Sequence, residues 1–137
     1  MLLRCMILAC LVSLVGCGGD GLHLATVDGI VTLNGEPLAE ARIVFYPEGG
    51  GRLSHAITDL DGSYSLVYVD GIRGALPGTH KVSISTFVEA DPDSDDPLVK
   101  TGQRELLPPQ YNSLTTLTAE LSPGQSEKLD FDLKAGQ

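Results

Sequence analysis

The chain has 137 residues with 18 acidic and 9 basic side chains, so its formal net charge at pH 7 is −9. This length suits a single domain with its own hydrophobic core. A surface of this charge repels the phosphate backbone, which argues against a nucleic-acid-binding protein.

The first sixteen residues differ in composition from the rest of the chain. Arg4 is the only charged residue before Asp20, and residues 5–15 are almost entirely apolar. That run is about half of the ~20 residues that a membrane-spanning helix needs, whereas a basic start followed by a short apolar run is typical of a signal peptide. We therefore expect residues 1–16 to be a signal peptide; the alternative is a buried N-terminal helix.

The end of this segment, Leu14-Val15-Gly16-Cys17, resembles the lipobox of bacterial lipoprotein precursors. The resemblance implies that the Cys17 thiol receives a diacylglycerol, that the chain is cleaved before Cys17, and that the new amino group is acylated. Two or three acyl chains anchor a protein stably, whereas one is marginal. We expect a lipid-anchored protein on a periplasmic or extracellular face, and Gly18 favours the outer membrane.

All three cysteines, Cys5, Cys10 and Cys17, lie at or before this cleavage site. The 121 residues from Cys17 onward would hold no disulfide, so an exported domain must be stabilised by its core alone. Cleavage also removes Arg4 and changes the net charge from −9 to −10. Membrane attachment therefore depends on the lipid, because the charge of the protein opposes anionic headgroups.

Residues 17–25 are predicted to be the lipidated cysteine and a glycine-rich tether, and residues 26–137 to be the domain. From Thr26 onward, short segments alternate between apolar and polar residues, with the period of half-buried β-strands. Predicted strands cover residues 26–33, 41–47, 54–58, 63–69, 79–87, 115–121 and 127–133. Seven short strands favour an all-β, antiparallel two-sheet sandwich, with a small barrel as the alternative.

Turn sequences and loops separate these strands. Asn34-Gly35 favours a tight hairpin turn, residues 59–62 supply side-chain acceptors and a glycine, and residues 122–125 predict a hairpin between the last two strands. Residues 88–112 form a long irregular region with four prolines. The predicted core residues are Val31, Ile43, Phe45, Tyr64, Leu66, Val82, Ile84, Leu117, Leu129 and Phe131.

The order of these motifs resembles the carboxypeptidase regulatory-like domains over about residues 27–87. The shared positions are Gly29, Val31, Asn34-Gly35, Pro37-Leu38, Ala41, Ile43, Thr58-Asp59, Gly62, Tyr64, Leu66, Leu76-Pro77-Gly78 and Val82. The resemblance implies a transthyretin-like (prealbumin-like) seven-stranded sandwich, and residues 107–133 are similar to small lipoproteins of planctomycete-type bacteria. His80 departs from the pattern, which usually has an aromatic residue at that point.

Asp91, Asp93, Asp95 and Asp96 lie in one acidic run, and carboxylate oxygens are ligands that Ca²⁺ prefers. An EF-hand loop counted from Asp91 needs glycine at position 6 and glutamate at position 12, where this chain has Asp96 and Gly102. The run is either a weak calcium site of another kind or, as we favour, a solvated loop.

No catalytic, metal-binding or cofactor-binding residue is otherwise predicted. His23, His55 and His80 lack the spacing of a zinc or iron site, and a turn explains Asp59 and Asp61. The sequence has neither a nucleophile elbow nor a phosphate-binding loop. We expect a non-catalytic structural or binding module of the cell envelope, with the membrane and another envelope protein or a glycan as partners.

A carbohydrate-binding module is the alternative to a purely structural role. Sugar-binding surfaces usually present exposed aromatic side chains, and the chain has no tryptophan. Tyr46, Phe87 and Tyr111 are the aromatic residues that we expect to be exposed.

Overall fold

The structure is a computed structural model, and it describes residues 23–135. The predicted signal peptide, Cys17 and most of the tether lie outside the described residues. Within residues 23–135, no helix has the length and apolar character needed to cross a membrane.

The strands of the described chain form two β-sheets, which confirms the predicted all-β sandwich. The strands in chain order are β1 (Thr26–Leu33), β2 (Glu36–Pro37), β3 (Arg42–Pro47), β4 (Ser54–Ile57), β5 (Ser63–Ser65), β6 (Val67–Val69), β7 (Ile72–Arg73), β8 (Gly78–Ser85), β9 (Thr118–Leu121), β10 (Ser126–Lys128) and β11 (Phe131–Leu133). A short helix α1 (Pro97–Thr101) and a 3₁₀ turn (Pro109–Tyr111) lie between β8 and β9.

The six-stranded sheet has the order β7-β6-β4-β3-β8-β9, and all of its pairs are antiparallel. Its central strand β3 alternates as the sequence predicts: Ile43 and Phe45 are fully buried, while Arg42 and Tyr46 are exposed. One face of this sheet therefore covers the core and the other is open to solvent.

The five-stranded sheet is organised around β1, which pairs with antiparallel β2 and β5 and with parallel β10 and β11. The prediction of a wholly antiparallel fold is therefore wrong for this sheet. The predicted hairpin at residues 122–125 is also wrong, because β9 pairs with β8 in one sheet and β10 pairs with β1 in the other. This turn carries the chain across the sandwich, and Thr26 N–H donates to Gln125 C=O at 2.9 Å.

Eleven strands replace the seven predicted because two predicted strands divide and two loops contribute β2 and β7. The predicted strand 63–69 divides at Leu66. The N–H of Leu66 donates to Val27 C=O in the five-stranded sheet, and the C=O of Leu66 accepts from Gly74 N–H. The chain thus passes from one sheet to the other at Leu66, whose side chain is buried between them.

The last predicted strand divides at residues 129–130. Ile30 N–H donates to the side-chain Oδ1 of Asp130 at 2.9 Å, so a carboxylate takes the place of a backbone acceptor. The hydroxyl of Tyr64 donates to Leu129 C=O at 2.6 Å. A Cβ atom added to Gly29 would lie 1.8 Å from Leu129 O, so this close approach of backbones requires glycine at position 29.

The core confirms most of the predicted set. Three of the ten predicted residues, Leu117, Leu129 and Phe131, are partly buried and pack against the other seven, which are buried. The Phe131 ring lies between the two sheets, with its centroid 6.4 Å from that of Phe45 and 6.2 Å from that of Tyr64. These contacts join the six-stranded sheet to the last strand and to β5.

Tyr111 and His80 are both buried in the structure. Tyr111, predicted to be exposed, is buried, and its hydroxyl accepts a hydrogen bond from Lys134 N–H at 2.9 Å. The His80 ring packs in the core where the resembled family usually has an aromatic residue, with its centroid 5.6 Å from that of Phe45. Its Nε2 lies 2.7 Å from Leu76 O.

The irregular region 88–112 is fixed to the end of β8 by Glu105. Its carboxylate accepts hydrogen bonds from the Ser85 and Thr86 hydroxyls and from the N–H groups of Thr86 and Leu107. Burial on its own would raise the pKa of Glu105, but these hydrogen bonds outweigh it and hold the pKa below its usual value. We call this set of contacts the Glu105 latch.

Gly29→Ala is expected to destabilise the sandwich. Its methyl group would overlap the Leu129 carbonyl, so the last strand would move and weaken the Tyr64 hydrogen bond; overpacking of this kind costs about 1–3 kcal/mol. Gly49→Ala is the matched control, because a Cβ there meets no atom within 4 Å. Urea denaturation measures both variants, and equal midpoints for Gly29→Ala and Gly49→Ala would contradict the assigned contact.

Glu105→Gln is expected to lower the free energy of unfolding at pH 7 by about 1–2 kcal/mol, allowing for solvent screening of a partly exposed group. Since folding lowers the pKa of Glu105, its stabilising effect is complete above the usual value of 4.5 and disappears as the pH falls through the folded-state pKa. The difference between the variant and the unsubstituted protein should therefore narrow below pH 4.5. Glu89→Gln, at an exposed carboxylate, is the matched control and should leave the free energy of unfolding at pH 7 close to that of the unsubstituted protein.

Candidate functional site on the six-stranded sheet

The solvent face of the six-stranded sheet presents rows of side chains set by strand register. Arg42 lies between Ile57 and Ser85, and Tyr46 lies opposite Lys81. Between these two rows is a third, in which Val44 of β3 separates His55 of β4 from Ser83 of β8. β3 and β8 are interior strands, although β9 covers β8 only from Gly78 to Lys81.

Three adjoining depressions form one trough along this face, which we call the outer trough. The first, at the Arg42 end of β3, has a volume of about 630 Å³ and is called the far part. It shares Arg42 and Ser85 with the second, the central part around Val44, which has a volume of about 270 Å³. The central part in turn shares Tyr46 and Ser83 with a third part of about 400 Å³. The outer trough therefore follows β3 and β8 over most of their length.

Two irregular segments form the walls of the outer trough. The far part is walled by residues 87–89 and by α1 and its N-cap, and the third part by residues 112–115. Both segments belong to the chain that the Glu105 latch and the buried Tyr111 fix against β8. The walls are thus held in place by contacts within the described chain.

Charge is distributed unevenly along the outer trough. Glu40, Glu89 and Asp96 line the far part together with Arg42. Among the described residues, no acidic side chain lines the central or third part, where Arg42, His55 and Lys81 are found. A protein of net charge −9 therefore has a locally basic stretch on this face.

Two of the three aromatic residues predicted to be exposed lie in the outer trough. Tyr46 is 44% exposed between the central and third parts, and Phe87 is 59% exposed in the far part beside Ile57. The alternation of β3 places Tyr46 on this face, and Phe87 follows the end of β8. The sequence indicated these rings, but it did not single out Arg42 or Lys81, because only the register of β3 against β8 brings them into line with Tyr46.

The acidic candidates for calcium do not converge within the described residues. Asp96 caps α1, accepting from Leu98 and Val99 N–H groups at 2.8 and 3.3 Å, and Asp91 accepts from Asp93 N–H at 3.1 Å. Over residues 23–135, no group of three or more His, Cys, Asp or Glu side chains is placed to hold a metal ion. The solvated loop that we favour and the alternative of a weak calcium site both stay predictions.

The remaining candidates have structural positions. Asp59 accepts hydrogen bonds from the N–H groups of Asp61 and Ser63 at 2.9 and 3.0 Å, as a turn residue does. His55 lies on β4 in the outer trough, His80 in the core, and His23 before β1. These three histidines therefore occupy three separate places in the fold.

No family model matches the chain, and no curated protein matches it. The solved structures that it resembles include a DUF3823 family protein from Parabacteroides merdae, at 13% identity and a TM-score of 0.45, over 84% of this chain and 48% of that one. A second is the dioxygenase domain of a dioxygenase carbohydrate-binding protein fusion from Streptomyces sp. SirexAA-E, at 20% identity and a TM-score of 0.41, over 87% and 84%. This chain spans about half the length of the first structure. Neither TM-score reaches 0.5, so the fold assignment rests on the two sheets themselves.

Proposed function

We propose that this protein is a lipid-anchored, non-catalytic binding module of the bacterial cell envelope, with a carboxypeptidase regulatory-like sandwich behind a lipidated Cys17. The observation that carries the proposal is the placement of the outer trough relative to the start of β1. The chain enters the sandwich at Ala25, which exchanges backbone hydrogen bonds of 2.8 and 2.9 Å with Ala75.

The far part of the outer trough lies at the opposite end of the sandwich. Thr58, which lines the far part, is hydrogen-bonded to the segment before β3: its hydroxyl donates to Leu38 C=O and accepts from Ala41 N–H. Leu38 N–H in turn donates to Val31 C=O near the end of β1. Arg42, the first residue of β3 and part of the lining of the far part, follows Ala41 in the chain. About 26 Å of β1 separates the two ends.

A lipid on Cys17 would hold the N-terminal end of the sandwich near the bilayer. The eight residue steps from Cys17 to Ala25 span at most about 28 Å. The negative charge of the domain opposes contact with anionic headgroups. Together these favour an orientation in which the far part of the outer trough faces away from the membrane and is open to a ligand.

The geometry of the outer trough favours binding over catalysis. His55 and Ser83 share a row, but Val44 stands between them, so the strands that carry them are about 9.6 Å apart. A nucleophile and its general base need hydrogen-bond distance. The exposed Tyr46 and Phe87 rings favour a carbohydrate as the ligand over a purely structural role.

Replacing Cys17 tests the anchor. Cys17→Ala should move the protein from the membrane fraction to the soluble fraction, because the acyl chains supply the attachment. Mass spectrometry of the unsubstituted protein should show an N-terminus at Cys17 carrying diacylglycerol and an amide-linked acyl chain. An unmodified Cys17, or an uncleaved signal peptide, would contradict the proposal; Cys10→Ala is the matched control and should leave both the fractionation and the mature mass unchanged.

A further inference from the structure

We propose that the central and third parts of the outer trough bind a carboxylated sugar chain, of the uronic-acid class, with its acid groups on Arg42 and Lys81 and a sugar ring on Tyr46. This inference rests on the proposed binding function and adds the chemical class of the ligand. The two basic side chains, Arg42 and Lys81, are the first observation that supports it.

Arg42 and Lys81 are exposed cations without an acidic partner in the described chain. Over residues 23–135 the ion pair within 4.0 Å is that of Arg73 with Asp28, and both Arg42 and Lys81 are exposed. Among the described residues, Lys81 has no carboxylate in its part of the outer trough, whereas Arg42 also lines the far part with Glu40, Glu89 and Asp96 and would meet an anion from the central part. Arginine in particular matches a carboxylate with two parallel hydrogen bonds.

The spacing of these cations suits a short chain molecule better than a single small anion. Lys81 lies directly opposite Tyr46, and Arg42 lies four residues before Tyr46 on the same face of β3. Four residues of a strand span about 13 Å. One small anion cannot contact both cations, whereas an oligosaccharide with acid groups on separate rings can.

Tyr46 supplies the contact that a sugar ring would use. Its side chain is 44% exposed, and an aromatic ring offers an apolar face with a polar hydroxyl at its edge. The C–H face of a pyranose can lie against that ring. Ser83 and Ser113, which line the same parts of the outer trough, add hydroxyl groups that can bond to those of a sugar.

An acidic peptide is a less suitable ligand for the central and third parts of the outer trough. Extended peptides commonly bind by adding a strand to a sheet edge through backbone hydrogen bonds. β3 is paired on both sides by β4 and β8, and β9 pairs with β8 over Gly78–Lys81. Beyond Lys81, the edge of β8 is occupied by the 112–117 segment, which bonds to Val82 and to the Ile84 carbonyl. Recognition must therefore use side chains, as it does for a sugar.

Calorimetric titration of the full lipoprotein, in a detergent without a sugar headgroup, tests the proposal with trigalacturonate as the probe. We expect binding that weakens with added salt, and at least about tenfold weaker binding of its neutral methyl ester. Arg42→Gln, Lys81→Gln and Tyr46→Ala should each weaken trigalacturonate binding about tenfold. Lys134→Gln, an exposed cation outside the outer trough, is the matched control and should bind as the unsubstituted protein does.

Four results would overturn the proposal: no binding of trigalacturonate by folded protein, equal binding of the methyl ester, binding that the three substitutions leave unchanged, or tighter binding of hexaglutamate at the same residues. The second would indicate a neutral glycan and the last an acidic peptide. Thermal melting of each variant shows whether a loss of binding reflects unfolding. None of these results bears on the Cys17 experiment, so failure of the ligand class and failure of the anchor are distinguishable.

Discussion

The close contact of Gly29 with the Leu129 carbonyl determines how the two halves of the sequence form one sandwich. β1 pairs with β2 and β5 from the first half of the sequence and with β10 and β11 from its end. At its middle, the absent side chain of Gly29 lets the backbone at residue 129 approach, and Tyr64 closes the contact with a hydrogen bond. Burial, with contributions from Asp130 and Asp28, keeps the pKa of the Tyr64 phenol well above its usual value, so this donor stays protonated.

The position of the last strand then fixes the core and, through it, the sheet that carries the outer trough. Phe131 follows the break at residues 129–130 and packs against Phe45 of β3. The opposite face of β3 presents Arg42 and Tyr46. A shift of β3 by one residue would exchange these faces and bury the cation. The core therefore determines which side chains face the outer trough as directly as it determines stability.

Local pattern predicted the parts of this fold that depend on alternation and on turn chemistry. Asn34 and Gly35 have the φ values, +52° and +86°, that their hairpin requires, and the alternation of β3 placed Phe45 inside and Tyr46 outside. Parallel pairing of β10 and β11 with β1 joins residues about 100 apart, which no local signal records. Residues 122–125 are a good turn in either case, because a turn sequence reverses the chain without specifying the sheet that receives it. The burial of Tyr111 depends likewise on the distant Lys134 N–H group.

A basic stretch in the central and third parts of the outer trough is consistent with an acidic protein, because charges in contact with a ligand and the field of the whole molecule act over different distances. At physiological salt the field of the whole molecule is screened within about 8 Å, so distant carboxylates weaken a bound anion little. Arg42 and Lys81 would act on it at contact distance. Near a bilayer the acidic surface would keep the domain away from anionic headgroups, and the proposed lipid on Cys17 would prevent its loss. Under this proposal the net charge would keep the outer trough open to solvent, while Arg42 and Lys81 would select among ligands.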